Sequence, residues 1–204
     1  DSDLLPADGL MQTIGGDGAA PYHPLHQQDS VGGQHRFQLQ IFRQGGGAVA
    51  EVIHHGGVID SHDGMHFREQ FYGYFEGQDM SVAWTAAGGP HGAKNYNDIV
   101  RKYGLAATRD FLKEADPFHD AESDNEYWHR VEDGFALIAD NPRLKDGDHV
   151  LQISHGNTLL SLMHRFAPEG YDLSERPANG SVTCLDFDTN EPMDRAVSVV
   201  SYNQ

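Results

Sequence analysis

A histidine stands where a predicted buried strand meets a predicted helix. Residues 150–153 form a short apolar run, Ser154-His155-Gly156 follows, and a helical pattern of apolar residues then continues to about Phe166. The first turn of a helix offers unpaired backbone N–H groups and a partial positive charge, which suit an anion such as phosphate. His155 is therefore a candidate donor to a phosphoryl oxygen. The alternative is that His155 ends the strand and only caps the turn.

A second cluster of reactive side chains lies in residues 67–77. Its eleven residues contain Arg68, two carboxylates, five aromatic side chains and two glycines. Aromatic neighbours that shelter Glu69 from water would penalise its charged form, which is the condition for a general acid near neutral pH. The alternative is that Arg68 and Glu69 are surface charges at the edge of a loop.

Composition limits the classes of function. The chain of 204 residues is 38% hydrophobic, enough for one ordinary globular domain, and carries 31 acidic against 14 basic residues, a formal charge of −17. Such a charge opposes binding to nucleic acids and anionic membranes. The chain has one cysteine, Cys184, and no apolar run of membrane-spanning length, which together predict a cytoplasmic protein.

The elements that would position these residues alternate between strands and helices. A capping-box pattern at residues 123–126 opens the most regular predicted helix, over 124–139. Residues 61–121 are interpreted as loops and short helices, with a substrate-covering lid over about 78–121. Strands are predicted near residues 37, 149, 181 and 195, and helices over 48–53, 97–103, 108–115 and 156–166. This order predicts an α/β sheet with helices on its faces, within a single domain over residues 1–204.

Several of these motifs together resemble the histidine phosphatase superfamily in its phosphoglycerate-mutase-like branch. The motifs are Ser154-His155-Gly156 at a strand end, Arg68-Glu69 with Gly73 and Glu76-Gly77, and Asn179-Gly180-Ser181-Val182 before a late strand. The resemblance covers residues 67–202 in the family's order. Residues 1–9 also resemble the family's Asp-Ser-Pro-Leu segment, and residues 50–53 resemble the end of its next helix.

The resemblance implies a three-layer α/β/α sandwich that transfers a phosphoryl group through a phosphohistidine, on small phosphomonoesters and without a metal or organic cofactor. His155 matches the family's second histidine and Glu69 matches the acid that protonates the leaving alcohol. On this basis His155 and Glu69 are the predicted catalytic residues. The residues predicted to bind phosphate or substrate are Arg43, Arg68, Gly156 and Asn157.

The chain departs from the family at its most reactive position. The family's nucleophile lies in an Arg-His-Gly motif on the first strand, and no Arg-His-Gly occurs in this sequence. The family's second phosphate-binding arginine is also displaced, because glycines 45–47 occupy its place and Arg43 lies about two positions out of register. We therefore expect the first strand to be missing or divergent and the phosphatase to be truncated or catalytically impaired.

Two other functions stay open from the sequence. The first is a pseudoenzyme that retains His155 and the helix N-terminus to bind a phosphorylated ligand or partner. The second is a histidine-rich metal-binding protein of unrelated fold, for which His54-His55 and the pair His62 and His66 are the candidate ligands, although Gly64 disfavours the helix that this pair would need. No metal site is predicted in the leading interpretation.

Overall fold

A mixed six-stranded sheet is the centre of the fold. The computed structural model describes residues 35–43, 50–54, 57–62, 65–174 and 176–204, and of these it describes the backbone alone for 42, 43, 50–54, 57–62 and 65. The strands run in the order β3-β2-β4-β1-β5-β6. Their bounds are Arg36–Arg43 for β1, Ala50–His54 for β2, Gly57–His62 for β3, His149–Ser154 for β4, Val182–Asp188 for β5 and Val197–Ser201 for β6.

The two central strands, β1 and β4, are parallel and in register, so that Arg43 lies opposite Ser154 at their carboxyl ends. The other strand pairs are antiparallel. Ligands of α/β proteins commonly bind at the carboxyl ends of parallel strands. Arg43 and Ser154 therefore end these two strands at the edge of the sheet where a binding site is expected.

The helices fall into two groups. Their bounds are Met80–Gly88 for α1, Tyr96–Tyr103 for α2, Ala106–Ala115 for α3, Asp124–Ala139 for α4, Gly156–Phe166 for α5 and Met193–Ala196 for α6. Apolar side chains of α4 and α5 pack with those of the sheet in one buried cluster. The segment with α1, α2 and α3 has a second cluster of its own. Among the described residues, no helix combines the length and the apolar character that crossing a bilayer needs.

Most of the predicted elements are confirmed. The capping box of Ser123 and Glu126 is present and α4 has the predicted bounds. The strand at 149–154 and the helix to Phe166 are also confirmed, and the α/β class is correct. Strand β6 begins at Val197 rather than at 195, because residues 193–196 form the short helix α6.

The predicted helix over 48–53 is wrong. Residues Ala50–His54 form β2, which pairs with both β3 and β4. The β-branched residues Val52 and Ile53 fit a strand between two neighbours, and this pairing overrides the helical tendency of alanine and glutamate.

The strand predicted near residue 37 is confirmed as β1, which lies at the centre of the sheet between β4 and β5. The missing or divergent first strand of the family stays a prediction. Residues 1–9 and glycines 45–47, which also entered the comparison with the family, lie outside the described residues.

Gly134 generates a prediction about the packing of α4. A Cβ at this position would lie 2.6 Å from Cε2 of Phe67 and 2.8 Å from Cβ of His66. Alanine in place of a helical glycine ordinarily stabilises a protein by about 1 kcal/mol. Here we expect Gly134→Ala to lower the free energy of unfolding by about 1–3 kcal/mol, because Phe67 must move.

Urea denaturation measures this effect. Gly89→Ala is the matched control, since nothing lies within 4 Å of a Cβ there, and its free energy of unfolding should stay within about 0.5 kcal/mol of wild type. Wild-type stability of Gly134→Ala would contradict the described packing of Phe67.

Candidate functional site

His155 is the residue at which β4 ends and α5 begins. It is the N-cap of α5 with extended backbone angles, φ −125° and ψ 166°, and its carbonyl accepts the first helical hydrogen bond from Leu159 N–H at 2.9 Å. The following residues Gly156 and Asn157 are buried, whereas His155 is half-buried. His155 is thus the residue that immediately precedes the first turn of α5, as the sequence predicts.

Three hydrogen bonds attach residues 67–69 to this turn. The Ser154 hydroxyl donates to the Phe67 carbonyl at 2.7 Å, and the Thr158 hydroxyl donates to the Arg68 carbonyl at 2.9 Å. Between them in the chain, the Asn157 backbone N–H donates to Oε2 of Glu69 at 3.1 Å. The structure therefore brings the Glu69 carboxylate to the first turn of α5, two residues after His155.

The Glu69 carboxylate is itself an anion bound at a helix N-terminus. Its Oε1 accepts from the Gln70 N–H at 3.1 Å while Oε2 accepts from Asn157. A negative charge in this position is favourable because the helix dipole and the free N–H groups attract it.

An internal ion pair fixes the segment that carries Glu69. Nε and Nη2 of Arg130, on α4, donate to the two carboxylate oxygens of Glu122 at 2.7 Å each. Arg130 also donates to the His66 carbonyl and, at 3.3 Å, to the Arg68 carbonyl. Glu122 in turn accepts from the Phe71 N–H at 3.3 Å. The backbone is thus held before Glu69, where Arg130 binds the carbonyls of residues 66 and 68, and after it, where Glu122 binds the N–H of residue 71.

The two predicted phosphate-binding arginines have different surroundings. Arg68 donates to the Glu69 carbonyl at 2.9 Å and lies 3.5 Å from Oε1 of Glu122. Burial and the nearby Arg130 lower the pKa of Arg68, while Glu122 opposes this effect. Arg68 is therefore part of the internal ion-pair cluster, and its role toward phosphate stays a prediction. Arg43 ends β1 opposite Ser154, and its side chain lies outside the described residues.

Aromatic side chains line the other side of Asn157. Its Nδ2 donates to the Tyr72 hydroxyl oxygen at 2.7 Å, and the rings of Tyr72, Trp84 and Tyr96 follow one another with centroid separations of 6.2 and 5.0 Å. The Oδ1 atom of Asn157 is buried and has no hydrogen-bond partner among the described residues. A buried polar atom of this kind marks a place where a ligand donor would be favourable.

The aromatic wall formed by Tyr72, Trp84 and Tyr96 is influenced by charges of both signs. Burial raises the pKa of Tyr72 and of Tyr96, the negative charge of Glu69 acts in the same direction, and the positive charge of Arg176 acts against it. Both phenols therefore stay neutral and can donate hydrogen bonds. Arg176 is exposed, and no carboxylate pairs with it in the described part of the chain.

Gly73 and Asp116 shape the loop beyond Tyr72. Gly73 has a φ of +57°, and a Cβ there would come within 2.0 Å of Oδ2 of Asp116. The Asp116 carboxylate accepts from the N–H groups of Phe118, Tyr74 and Ala121 at 2.9, 3.1 and 2.8 Å. Only glycine fits the first position, which gives the glycine of the 67–77 cluster a structural reason.

Sequence reasoning missed several residues of this site. Tyr96 on α2 and Arg130 on α4 contact its residues from separate helices, the charge of Arg176 acts on its tyrosines, and no local spacing in the sequence signals these interactions. Ser154 directly precedes His155 and Thr158 follows it by three residues, so the motif indicates the neighbourhood of their contacts with residues 67 and 68. The described side chains include no group of three or more His, Cys, Asp or Glu residues that could hold a metal ion.

Comparison with known proteins identifies the fold. The structure is similar to that of the phosphoglycerate mutase from Bacillus anthracis str. Sterne, with a TM-score of 0.54 and 24% sequence identity over 68% of this chain. The match spans 58% of that mutase, less than two thirds of its length. No family model and no curated protein matches the chain. The chain has a phosphoglycerate-mutase-like α/β fold, as predicted.

The Asp116 carboxylate should make the stability of the protein depend on pH. Burial acts to raise the pKa of Asp116, but the backbone N–H donors outweigh it and hold that pKa below its usual value. A carboxylate with a lowered pKa stabilises the folded state above the unfolded-state pKa of about 3.9, and this contribution is lost as the pH falls toward the folded-state pKa. We expect Asp116→Asn to lower the free energy of unfolding at pH 7 by about 2–3 kcal/mol.

The difference in free energy of unfolding between the wild type and Asp116→Asn should become smaller as the pH is lowered. Urea denaturation between pH 7 and pH 3 measures it, with Asp172→Asn as the control, because the Asp172 carboxylate lies in an exposed turn and accepts hydrogen bonds from Ser174 alone among the described residues. A constant difference from pH 7 to pH 3 would mean that the Asp116 charge does not stabilise this loop.

Proposed function

We propose that the chain is a phosphoglycerate-mutase-like histidine phosphatase that binds the phosphoryl group of small phosphomonoesters at the N-terminal turn of α5. The observation that carries this proposal is the hydrogen bond of 3.1 Å between Asn157 N–H and the Glu69 carboxylate. It joins a proton-donating side chain to an anion-binding turn at the carboxyl edge of the parallel pair β1 and β4. A phosphatase needs these two groups within reach of one phosphate ester.

Each group has a definite chemical task in this proposal. The imidazole of His155 and the N–H group of Gly156 donate to the phosphoryl oxygens, where negative charge spreads in the transition state, while the Asn157 N–H holds the Glu69 carboxylate beside them. The carboxyl group of Glu69 gives its proton to the oxygen of the leaving alcohol. Arg43 and Arg68 are proposed to add positive charge at the same edge. The Asn157 amide and the Tyr72 hydroxyl are positioned to contact the alcohol part of the substrate.

The proposed site lacks an identified nucleophile. Covalent phosphoryl transfer needs a nucleophilic side chain opposite the leaving group, and removal of the nucleophile costs several orders of magnitude in rate. The sequence contains no Arg-His-Gly motif. We therefore propose that this chain hydrolyses phosphomonoesters slowly.

The second candidate is a pseudoenzyme, which the lack of an Arg-His-Gly motif in the sequence favours. It would retain His155 and the N-terminal turn of α5 to bind a phosphorylated ligand or partner without hydrolysing it.

The remaining parts of the proposal concern the surroundings of the site. Residues 78–121 are proposed as the lid over the substrate, because Trp84 and Tyr96 extend the aromatic wall that begins at Tyr72. The net charge of −17 disfavours nucleic acids and anionic membranes as partners. A cytoplasmic location belongs to the same proposal.

His155→Ala tests the phosphate contact. We expect the variant to bind inorganic phosphate or vanadate about tenfold more weakly or worse, because a charge-assisted donor is lost from a half-buried turn. Isothermal titration calorimetry measures the affinity, and circular dichroism verifies the fold. His129→Ala and His164→Ala are the controls, and an equal loss in these variants would contradict the role of His155.

Glu69→Gln tests the proton donor. For an alkyl phosphate, whose alkoxide leaves poorly, kcat/KM should fall about 100-fold. For p-nitrophenyl phosphate the fall should be much smaller, because p-nitrophenolate leaves without a proton. Phosphate affinity should be unchanged or higher, since a negative charge beside the anion is removed.

Glu114→Gln is the control for this series, because Glu114 is exposed and contacts His91 away from α5. Equal losses for the two substrates would show that Glu69 is not the proton donor. Phosphate binding without turnover of either substrate by the wild type would favour the pseudoenzyme.

A further inference from the structure

A buried arginine joins the segment of α1, α2 and α3 to the proposed site. Arg109, on α3, is 2% exposed. Its Nη1 lies 2.6 Å from Oδ1 of Asp124 on α4, and its Nη2 donates to the Ser161 hydroxyl on α5. The guanidinium also lies over the ring of Tyr127, 3.8 Å from the ring centroid. Arg109 therefore contacts α4 and α5 from α3.

The contact with Ser161 continues to the first turn of α5. The Ser161 hydroxyl donates to the carbonyl oxygen of Asn157 at 2.7 Å. Asn157 is the residue whose N–H binds Glu69 and whose side-chain amide binds Tyr72. A continuous path of hydrogen bonds thus runs from the Arg109 guanidinium through one hydroxyl to the residue at the centre of the proposed site.

Stability alone does not account for an arginine in this place. Removing a guanidinium from water costs several kcal/mol, about as much as a good ion pair returns, so that apolar residues often replace buried ion pairs without loss of stability. Arg109 also keeps its Nε buried and without a hydrogen-bond partner among the described residues. What the guanidinium supplies here is a fixed geometry, because its two terminal nitrogens bind Asp124 and Ser161 at the same time.

We propose that Arg109 is a positioning residue of the phosphate-binding turn. Through Ser161 it fixes the carbonyl of Asn157, and with it the N–H that faces Glu69 and the amide that faces Tyr72. Because Arg109 belongs to α3, the same contact links the segment proposed as the lid to the turn. The consequence for ligand binding rests on the proposed function, whereas the effect on the turn does not.

The test uses two single variants and their combination. Arg109→Gln removes the charge and the fork, and Ser161→Ala removes only the hydroxyl. Arg165→Gln is the matched control. Arg165 also pairs with a glutamate, Glu132 at 2.6 Å, and lies over an aromatic ring, that of Trp128 at 4.3 Å, but it does so in the last turn of α5.

Two readouts separate the inference from the proposed function. Amide hydrogen exchange of the ligand-free protein should become about tenfold faster at Asn157 in Arg109→Gln and in Ser161→Ala, relative to amides of the central strand β1, because a hydrogen bond that holds the turn is lost. The affinity for inorganic phosphate, measured by calorimetry, should fall about fivefold to tenfold in both variants. The double variant should bind phosphate no more weakly than whichever single variant has the lower affinity, because both changes break the same path from Arg109 through Ser161 to Asn157.

The outcomes are distinguishable. Arg165→Gln should leave both the relative exchange at Asn157 and the phosphate affinity within about twofold of wild type. Unchanged relative exchange at Asn157 in Ser161→Ala would overturn the inference, and so would additive losses of affinity in the double variant. If the wild type does not bind phosphate, the proposed function fails while the exchange data still decide the role of Arg109. If Arg109→Gln does not fold, Ser161→Ala alone decides it.

Discussion

The hydrogen bond from the Asn157 N–H to the Glu69 carboxylate is the contact on which the site depends. It holds an acidic side chain at the positive end of α5, where it would otherwise be free to turn toward solvent. The flanking bonds from Ser154 and Thr158 to the carbonyls of residues 67 and 68 fix the backbone that carries Glu69. Arg130 and Glu122 secure the same segment from the side of α4. The sheet contributes by ending β4 at this point, so that strand, turn and helix present His155, Gly156 and Asn157 in succession.

The charges of the chain shape the kind of anion binding that this site could support. In a protein with a formal charge of −17, three described arginines around the turn are engaged with carboxylates: Arg68 and Arg130 with Glu122, and Arg109 with Asp124. In the proposed site, affinity for phosphate would come from the Gly156 N–H and the imidazole of His155 together with Arg43 and Arg68. Arg176 differs from these arginines, because it is exposed and its positive charge acts to lower the pKa of Tyr72 and of Tyr96.

Local sequence signals predicted the parts of the fold that local interactions determine. The capping box of Ser123 and the apolar spacing after it define α4, and the apolar run before His155 defines β4, since both patterns are complete within a few residues. The sequence predicts a helix in place of strand β2, because the pairing of β2 with β4 is a long-range property that Ala50 and Glu51 do not indicate. The direction of the Arg68 side chain depends likewise on Glu122, which lies far along the chain. The motifs identified the neighbourhood of the site, whereas its internal partners required the three-dimensional arrangement.

The central claim is that a phosphate occupies the first turn of α5 beside Glu69. Titration of the isotope-labelled protein with inorganic phosphate, followed by the backbone amide resonances, tests it most directly. The account predicts that the largest shifts fall on Gly156, Asn157 and Thr158 and on residues 69 and 70, and that they saturate together. Saturable shifts confined to other elements, or an absence of shifts in this turn at phosphate concentrations that bind elsewhere, would contradict it.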